Sequence, residues 1–148
     1  MFKLYSKGCE YALRALTYAA SQREDGRFQA KDVCEKTDIP ESFTRKVLQS
    51  LVQGGFLQAV RGPGGGYELS RPAHKITLLD VIEAVEGHDT FDHCVLGFPT
   101  CGSKHPCPLH DTWARAKQQL LAQLGRRTLQ ELADSTLRKK HRSFLNSV

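Results

Sequence analysis

The 148-residue sequence predicts a mainly α-helical chain carrying one small β-hairpin, and three observations predict it. Apolar residues recur at helical spacing along most of the chain. The run Gly62-Pro63-Gly64-Gly65-Gly66 separates two short stretches of strand character. Glycines and prolines break regular structure over one long stretch, from His88 to Cys107.

The first helix is expected over Ser6 to Ala20, with Tyr11, Ala15, Tyr18 and Ala19 on one face and Ala12, Leu16 and Ala20 on the adjoining one. After a polar turn, Ala30 to Thr37 fits a short helix with Ala30 and Val33 inward, and Asp38-Ile39-Pro40 ends it. A third helix runs from about Glu41 to Gln53, because proline suits a helix start, Glu41 suits the positive end of the dipole, and Gly54-Gly55 stop it. Its apolar set is Phe43, Val47, Leu48, Leu51 and Val52, whereas Ser42, Arg45 and Gln49 share another face.

Two helices joined by a three-residue turn, the second polar and cationic at its N-terminal end, form a helix-turn-helix, whose second helix enters a DNA major groove. Any helical hairpin with a solvated face would show the same pattern, and the next segment discriminates. Phe56 to Arg61 and Tyr67 to Ser70 read as two strands, and a hairpin directly after a helix-turn-helix is a wing. Its tip lacks bulky side chains and can lie close to a phosphate backbone, with Arg61 at its base. A nucleotide-binding P-loop is not expected, since no helix begins after the glycines and no Gly-Lys-Ser/Thr follows.

Thr77-Leu78-Leu79-Asp80 is a capping box for a fourth helix ending near Gly87. Pro108 opens a fifth, to about Leu124, on which Trp113, Leu120, Leu121 and Leu124 make an apolar stripe. Such a stripe must be covered, either by a second copy of the chain, the favoured expectation, or by the chain's own head. Thr128-Leu129-Gln130-Glu131 caps a short further helix. The expected organisation is a winged helix-turn-helix head (1–87), a loop (88–107), a long dimerisation helix with its short follower (108–135) and a basic mobile tail (136–148).

Hydrophobic content of 40% and charged content of 25% are those of a globular chain. No apolar run approaches the ~20 residues that cross a bilayer, and Met1 to Lys7 lacks an apolar signal region, so no membrane partner and a cytoplasmic location are expected. The net charge of +5 is uneven: residues 1–71 carry eleven Lys/Arg against eight Asp/Glu, residues 72–124 four against six, and residues 125–148 six against two. That distribution suits an anionic partner, although a solvated surface with a basic tail would show it too. No nucleophile, base and orienting group form a recognisable set, so an enzyme is not expected.

Five cysteines in a chain without an export signal argue against a disulfide framework. Cys34 falls on the inward side of the second helix and reads as core, and Cys9 at the start of the first helix is ambiguous. Cys94, Cys101 and Cys107, with His110 after them, give C-x6-C-x5-C-x2-H in a loop too irregular for packing. Thiolates there can converge on a soft metal. Spacing alone supports iron-sulfur and zinc equally, although zinc sites usually contain a tighter cysteine pair; free or redox-active thiols are the third possibility.

Glu10 to Leu16, the wing Val60 to Tyr67, the helix Ile76 to Gly87 and the run Cys107-Pro108-Leu109-His110 together resemble the bacterial family of winged-helix iron-sulfur regulators that contains IscR and NsrR. The resemblance spans residues 2 to 135. It implies a dimeric repressor or activator that binds a double-stranded DNA operator and holds a [2Fe-2S] or [4Fe-4S] cluster on Cys94, Cys101 and Cys107. It offers two fourth ligands: His110, matching a histidine of the IscR type, or Glu10, matching an acidic ligand that the NsrR type receives from the other subunit. The gap between Cys94 and Cys101 is one residue longer than in the IscR type. Ser42, Thr44, Arg45 and Gln49 are expected in the major groove, and Arg61, Gly62, Pro63, Gly64, Gly65, Gly66 and Tyr67 against the backbone. The signal would be nitric oxide, redox state or iron and cluster supply. The rivals are the same fold with zinc or bare thiols, acting as a thiol switch or constitutive repressor, and a small iron-sulfur carrier.

Overall fold

A computed structural model describes residues 4–22 and 26–140, with side chains as far as Leu137. Six α-helices and one two-stranded antiparallel hairpin are found among them, in the order α1 (Lys7–Ser21), α2 (Ala30–Thr37), α3 (Glu41–Gln53), β1 (Leu57–Val60), β2 (Gly66–Leu69), α4 (Leu78–Glu86), α5 (His110–Arg126) and α6 (Leu129–Lys140), with a 3-10 turn at Ala73–Lys75 between β2 and α4. The mainly helical class with one hairpin is as the sequence predicts. Of the expected basic tail, residues 141–148 lie outside the described residues, and residues 136–140 are the last part of α6 rather than tail.

Helix starts follow local chemistry. Ser6 caps α1 by accepting from the Cys9 N–H at 3.2 Å. The expected box at α4 is present: the Asp80 N–H donates to Thr77 Oγ1 at 3.0 Å and the Thr77 N–H donates to Asp80 Oδ2 at 2.9 Å. At α6 the Glu131 N–H donates to Thr128 Oγ1 at 3.2 Å. Asp38 ends α2 with φ +55, a left-handed conformation that short polar side chains tolerate, and this reverses the chain into α3.

The main core gathers Leu16 from α1, Val33 from α2, Ile39 from the turn, Leu48 and Leu51 from α3, and Leu57 from β1. Fully burying each such side chain stabilises the fold by roughly 1.5–3 kcal/mol. Burying Ile39 in the turn fixes the angle between α2 and α3. Leu129 and Ala133 of α6 are fully buried in this same core. Backbone bonds from Leu78 N–H to Arg127 O and from Leu129 N–H to Ile76 O, both 2.9 Å, tie the start of α6 to the start of α4. The last helix is thus built into the head. A smaller cluster of Cys9, Ile82 and Phe91 receives Leu120, Leu121 and Leu124 of α5, which lays that helix along α4.

Two residues of α3 depart from expectation. Phe43, expected inside, is 49% exposed beside Tyr11, with ring centroids 5.8 Å apart. Thr44, expected to face DNA, is only 2% exposed, and its hydroxyl donates to Pro40 O at 3.1 Å. The cause is helix geometry: Thr44, Leu48 and Leu51 lie at i, i+4 and i+7 and share the inward face, which turns Phe43 about 100° away.

Candidate cluster site and nucleic-acid interface

Between Glu86 and His110 the chain has no regular secondary structure, and this stretch carries the three cysteines. Their sulfurs all lie within 4.8 Å of one another. Cys94 and Cys107 approach to 3.7 Å, the Cys107 N–H donates to Cys101 Sγ at 3.4 Å, and His110 Nδ1 lies 3.4 Å from Cys101 Sγ. All three thiols are half-buried. Pro108 and Leu109 lead into α5, and the Trp113 indole donates to His93 O at 3.1 Å, pinning the residue before Cys94 to that helix.

The electrostatics of the three thiols differ. For Cys94, burial raises the pKa, but backbone N–H groups of Phe98 and Leu96 and the Cys107 and Cys101 sulfhydryls outweigh it, bringing it down to about 7. Cys101 is raised: the Cys107 N–H pulls it down, and burial with the Cys107 and Cys94 thiols pushes it further up. Cys9 has the opposite character from Cys94. Burial, then the carboxylates of Glu86 and Glu10, push its thiol up to about 12, so this cysteine is core. Cys34 is half-buried.

This donor set fits a soft metal or an iron-sulfur cluster. Three thiols converge from separate points of the loop, one has its pKa lowered towards neutrality, and a backbone N–H points at a second sulfur. His110 touches Cys101 without belonging to the group of three. Glu10 sits in the first turn of α1, where Lys7 Nζ lies 2.9 Å from its Oε2, and it is not in the group within one chain.

Ser42, Arg45 and Gln49 are exposed along α3, on one side of the hairpin formed with α2. Thr44 is withdrawn, and the available polar face consists of the other three. In the wing, β1 and β2 pair Leu57 with Leu69 through Val60 with Gly66. Gly62 O accepts from the Gly65 N–H at 2.9 Å, closing a turn with Pro63 and then Gly64 at φ +73, as a type II turn requires. Arg61, Gly62, Pro63 and Gly64 are exposed, whereas Gly65 is buried and Gly66 and Tyr67 are half-buried. A Cβ on Gly65 would stand 2.2 Å from Val60 O, and one on Gly66 would stand 2.5 Å from Phe28 O. These two glycines serve the close approach of protein backbones. Tyr67 stacks on Phe28, with centroids 6.1 Å apart.

The sequence reading missed Arg27 and Gln29, which reach the wing from the segment before α2. Their partners are 37 and 36 residues away, so no periodicity signals them. On α5, Leu120, Leu121 and Leu124 are half-buried against the chain's own head. No helix among the described residues is long and apolar enough to cross a membrane.

Comparison with known proteins agrees with this geometry. Residues 5–135 match the Rrf2 family, described as an iron-dependent transcriptional regulator. A putative HTH-type transcriptional regulator of Haemophilus influenzae is 32% identical over 146 residues, 97% of this chain and 96% of that protein. IscR of Xenorhabdus nematophila is 32% identical over 130 residues, 88% and 78% of the two chains. Among solved structures, CymR, the global cysteine regulator of B. subtilis, superposes with a TM-score of 0.75 at 22% identity, covering 91% of this chain and 98% of that one. IscR of T. potens gives 0.70 at 23%, covering 91% and 88%. The two structures establish the same fold, and the matched sequence adds the regulator lineage: the chain belongs to the Rrf2 family of winged-helix transcription regulators.

Proposed function

We propose that this regulator binds operator DNA as a homodimer and that its affinity is set by an iron-sulfur cluster held on Cys94, Cys101 and Cys107, acting as a repressor. The observation that carries the proposal is the convergence of three sulfurs within 4.8 Å in a loop that otherwise lacks regular structure. When bound, the cluster supplies a centre whose redox state and ligation change with nitric oxide, oxidants or cluster supply. Ligation would require three deprotonated thiols, and the lowered pKa of Cys94 favours that form near neutrality. Two groups are candidates for the fourth position, His110 in the same chain and Glu10 of the partner subunit.

The loop joins α4, at the edge of the head, to α5. Gathering the thiols would hold Cys94 and, through its neighbour His93, the Trp113 contact at the start of α5. With two chains pairing along the faces of α5 around Trp113, the spacing of the two heads depends on that start. Each head would present Ser42, Arg45 and Gln49 to a major groove and Arg61 to Gly64 to the flanking phosphates. Half-sites would then lie about one helical turn apart, ~34 Å. The cytoplasm, which keeps thiols reduced, suits such a site.

One observation favours a second reading. The 3.7 Å approach of Cys94 and Cys107 suits a thiol switch, in which an oxidant takes two electrons and two protons and joins the pair. Anaerobic purification separates the two. Brown protein with iron, sulfide and absorption near ~400 nm supports the cluster; colourless protein whose DNA binding changes with disulfide formation supports the switch. Footprinting on the selected operator tests the dimer, with two protected half-sites expected.

A further inference from the structure

The wing tip closes one turn bond of its own, from the Gly65 N–H to Gly62 O, but two of its residues are conformationally free. Gly62 and Gly64 have φ of +93 and +73, and neither would meet an atom within 4 Å if it carried a Cβ. Such a turn loses much freedom on binding, and its affinity for a rigid duplex depends on how far it is ordered beforehand.

Further order comes from outside the hairpin. The segment before α2 runs antiparallel to β2, with the Phe28 N–H donating to Tyr67 O at 3.0 Å and the Tyr67 N–H donating to Phe28 O at 2.8 Å. Arg27 and Gln29, at i and i+2 around Phe28, share one face of that extended segment. Arg27 Nη1 donates to Gly64 O at 3.3 Å, and Gln29 Nε2 donates to Gly65 O. Two consecutive tip carbonyls are thus drawn towards the head. A carbonyl oxygen facing a phosphate repels it, whereas an amide N–H attracts it, so drawing these oxygens aside favours the approach of a backbone.

Arg27 has a second contact. Its Nε lies 3.3 Å from Glu68 Oε2, and Gln58 Nε2 donates to Glu68 Oε1. Glu68 is the hairpin's one carboxylate, on the strand that leaves the tip. Left unpaired, it would oppose a polyanion.

We propose that Arg27 and Gln29 are positioning residues for DNA binding: they hold the wing tip in its duplex-ready shape, and Arg27 also neutralises Glu68. The inference rests on the chain's reading as a DNA-binding regulator.

The test uses the full chain and a duplex enriched by the wild-type protein from a random-sequence library. Arg27→Ala should weaken binding about tenfold and Gln29→Ala about threefold, measured well below the Tm of each variant, the sizes expected when a charged or a neutral hydrogen bond that orders the tip is lost. The double variant Arg27→Ala/Glu68→Gln should recover to within about threefold of wild type, with an unchanged slope of log affinity against log salt. Equal losses in Arg27→Ala and the double variant, with a salt slope lowered by about 0.9, would mean that Arg27 touches phosphate itself and would overturn the positioning role. Wild-type affinity in both single variants would overturn it as well. If the wild-type protein enriches no duplex, the DNA-binding reading falls and takes this inference with it.

Discussion

The wing and the cysteine loop are both irregular, glycine-bearing connections, yet they are held in opposite ways. At the wing, backbone presses on backbone: a Cβ on Gly65 or Gly66 would sit 2.2 or 2.5 Å from a carbonyl oxygen, and Phe28, Arg27 and Gln29 brace the hairpin from outside. In the loop, a Cβ on Gly97 or Gly102 would meet nothing within 4 Å, and Leu96 and Phe98 stand 50% and 55% exposed. It is tied by short-range backbone bonds and by contacts that meet at the three sulfurs. A reader of DNA gains from a fixed shape, while a sensor gains from a shape that its ligand completes; under the proposed function the two segments would divide these tasks.

The largest expected effect is on the loop. Changing Cys94, Cys101 or Cys107 singly to Ala should abolish stoichiometric iron and sulfide after anaerobic reconstitution, while far-ultraviolet circular dichroism of the metal-free head stays as in wild type. Retention of the full complement in any one variant would remove that cysteine from the site.

The glycine contrast comes next. Gly65→Ala should cost about 2–3 kcal/mol of stability, because the nearest obstacle is backbone that cannot rotate away, whereas Gly102→Ala should stay within ~0.5 kcal/mol. Urea titration of both variants checks the ordering, and equal values would dissolve the distinction between the two segments. On α3, Arg45→Ala should cost about 1–3 kcal/mol of operator binding if it reads a base, with stability unchanged. Thr44→Val should do the reverse, lowering stability by about 1 kcal/mol through the lost bond to Pro40 O and changing DNA affinity little. Gel-shift and denaturation on the same preparations separate the pair.

The smallest effect is a rate. In metal-free protein, the Cys94 pKa of about 7 leaves a large thiolate fraction at neutral pH, and that fraction rises through pH 7 and then levels; Cys9, at about 12, stays protonated throughout. Iodoacetamide labelling followed by peptide mapping should find Cys94 early and Cys9 last, and early labelling of Cys9 would contradict its place in the core.

Much of this division is written locally and was legible in the sequence. The capping residues Ser6, Thr77 and Thr128, the Pro40 start of α3, and the Gly62-to-Gly65 turn each act within three or four residues of themselves. The cysteines, six to thirteen residues apart, marked the candidate site by residue type and by the irregular loop that carries them. What escaped depends on distant partners. Hydrophobicity placed Phe43 inside and Thr44 outside, but the inward face was chosen by Leu48 and Leu51 together with an acceptor at Pro40 O. The helix after Thr128 reads as an appendage until its backbone bond to Ile76 seats Leu129 in the head. The α5 stripe was expected to await a second chain, and its leucines also cover Ile82 and Phe91 of their own. Arg27 and Gln29 carry no periodicity that links them to glycines nearly forty residues on.

The central claim is that filling the three-thiol site changes how the heads grip DNA. The direct measurement is the operator affinity of anaerobically reconstituted wild-type protein against the same protein stripped of iron, with the Cys94→Ala/Cys101→Ala/Cys107→Ala variant alongside. The account predicts at least a tenfold difference between the loaded and stripped forms, roughly 1.4 kcal/mol of coupling, with the variant matching the stripped form under all conditions. Equal affinity for all three preparations, or reconstituted wild-type protein with neither iron nor sulfide, would contradict it.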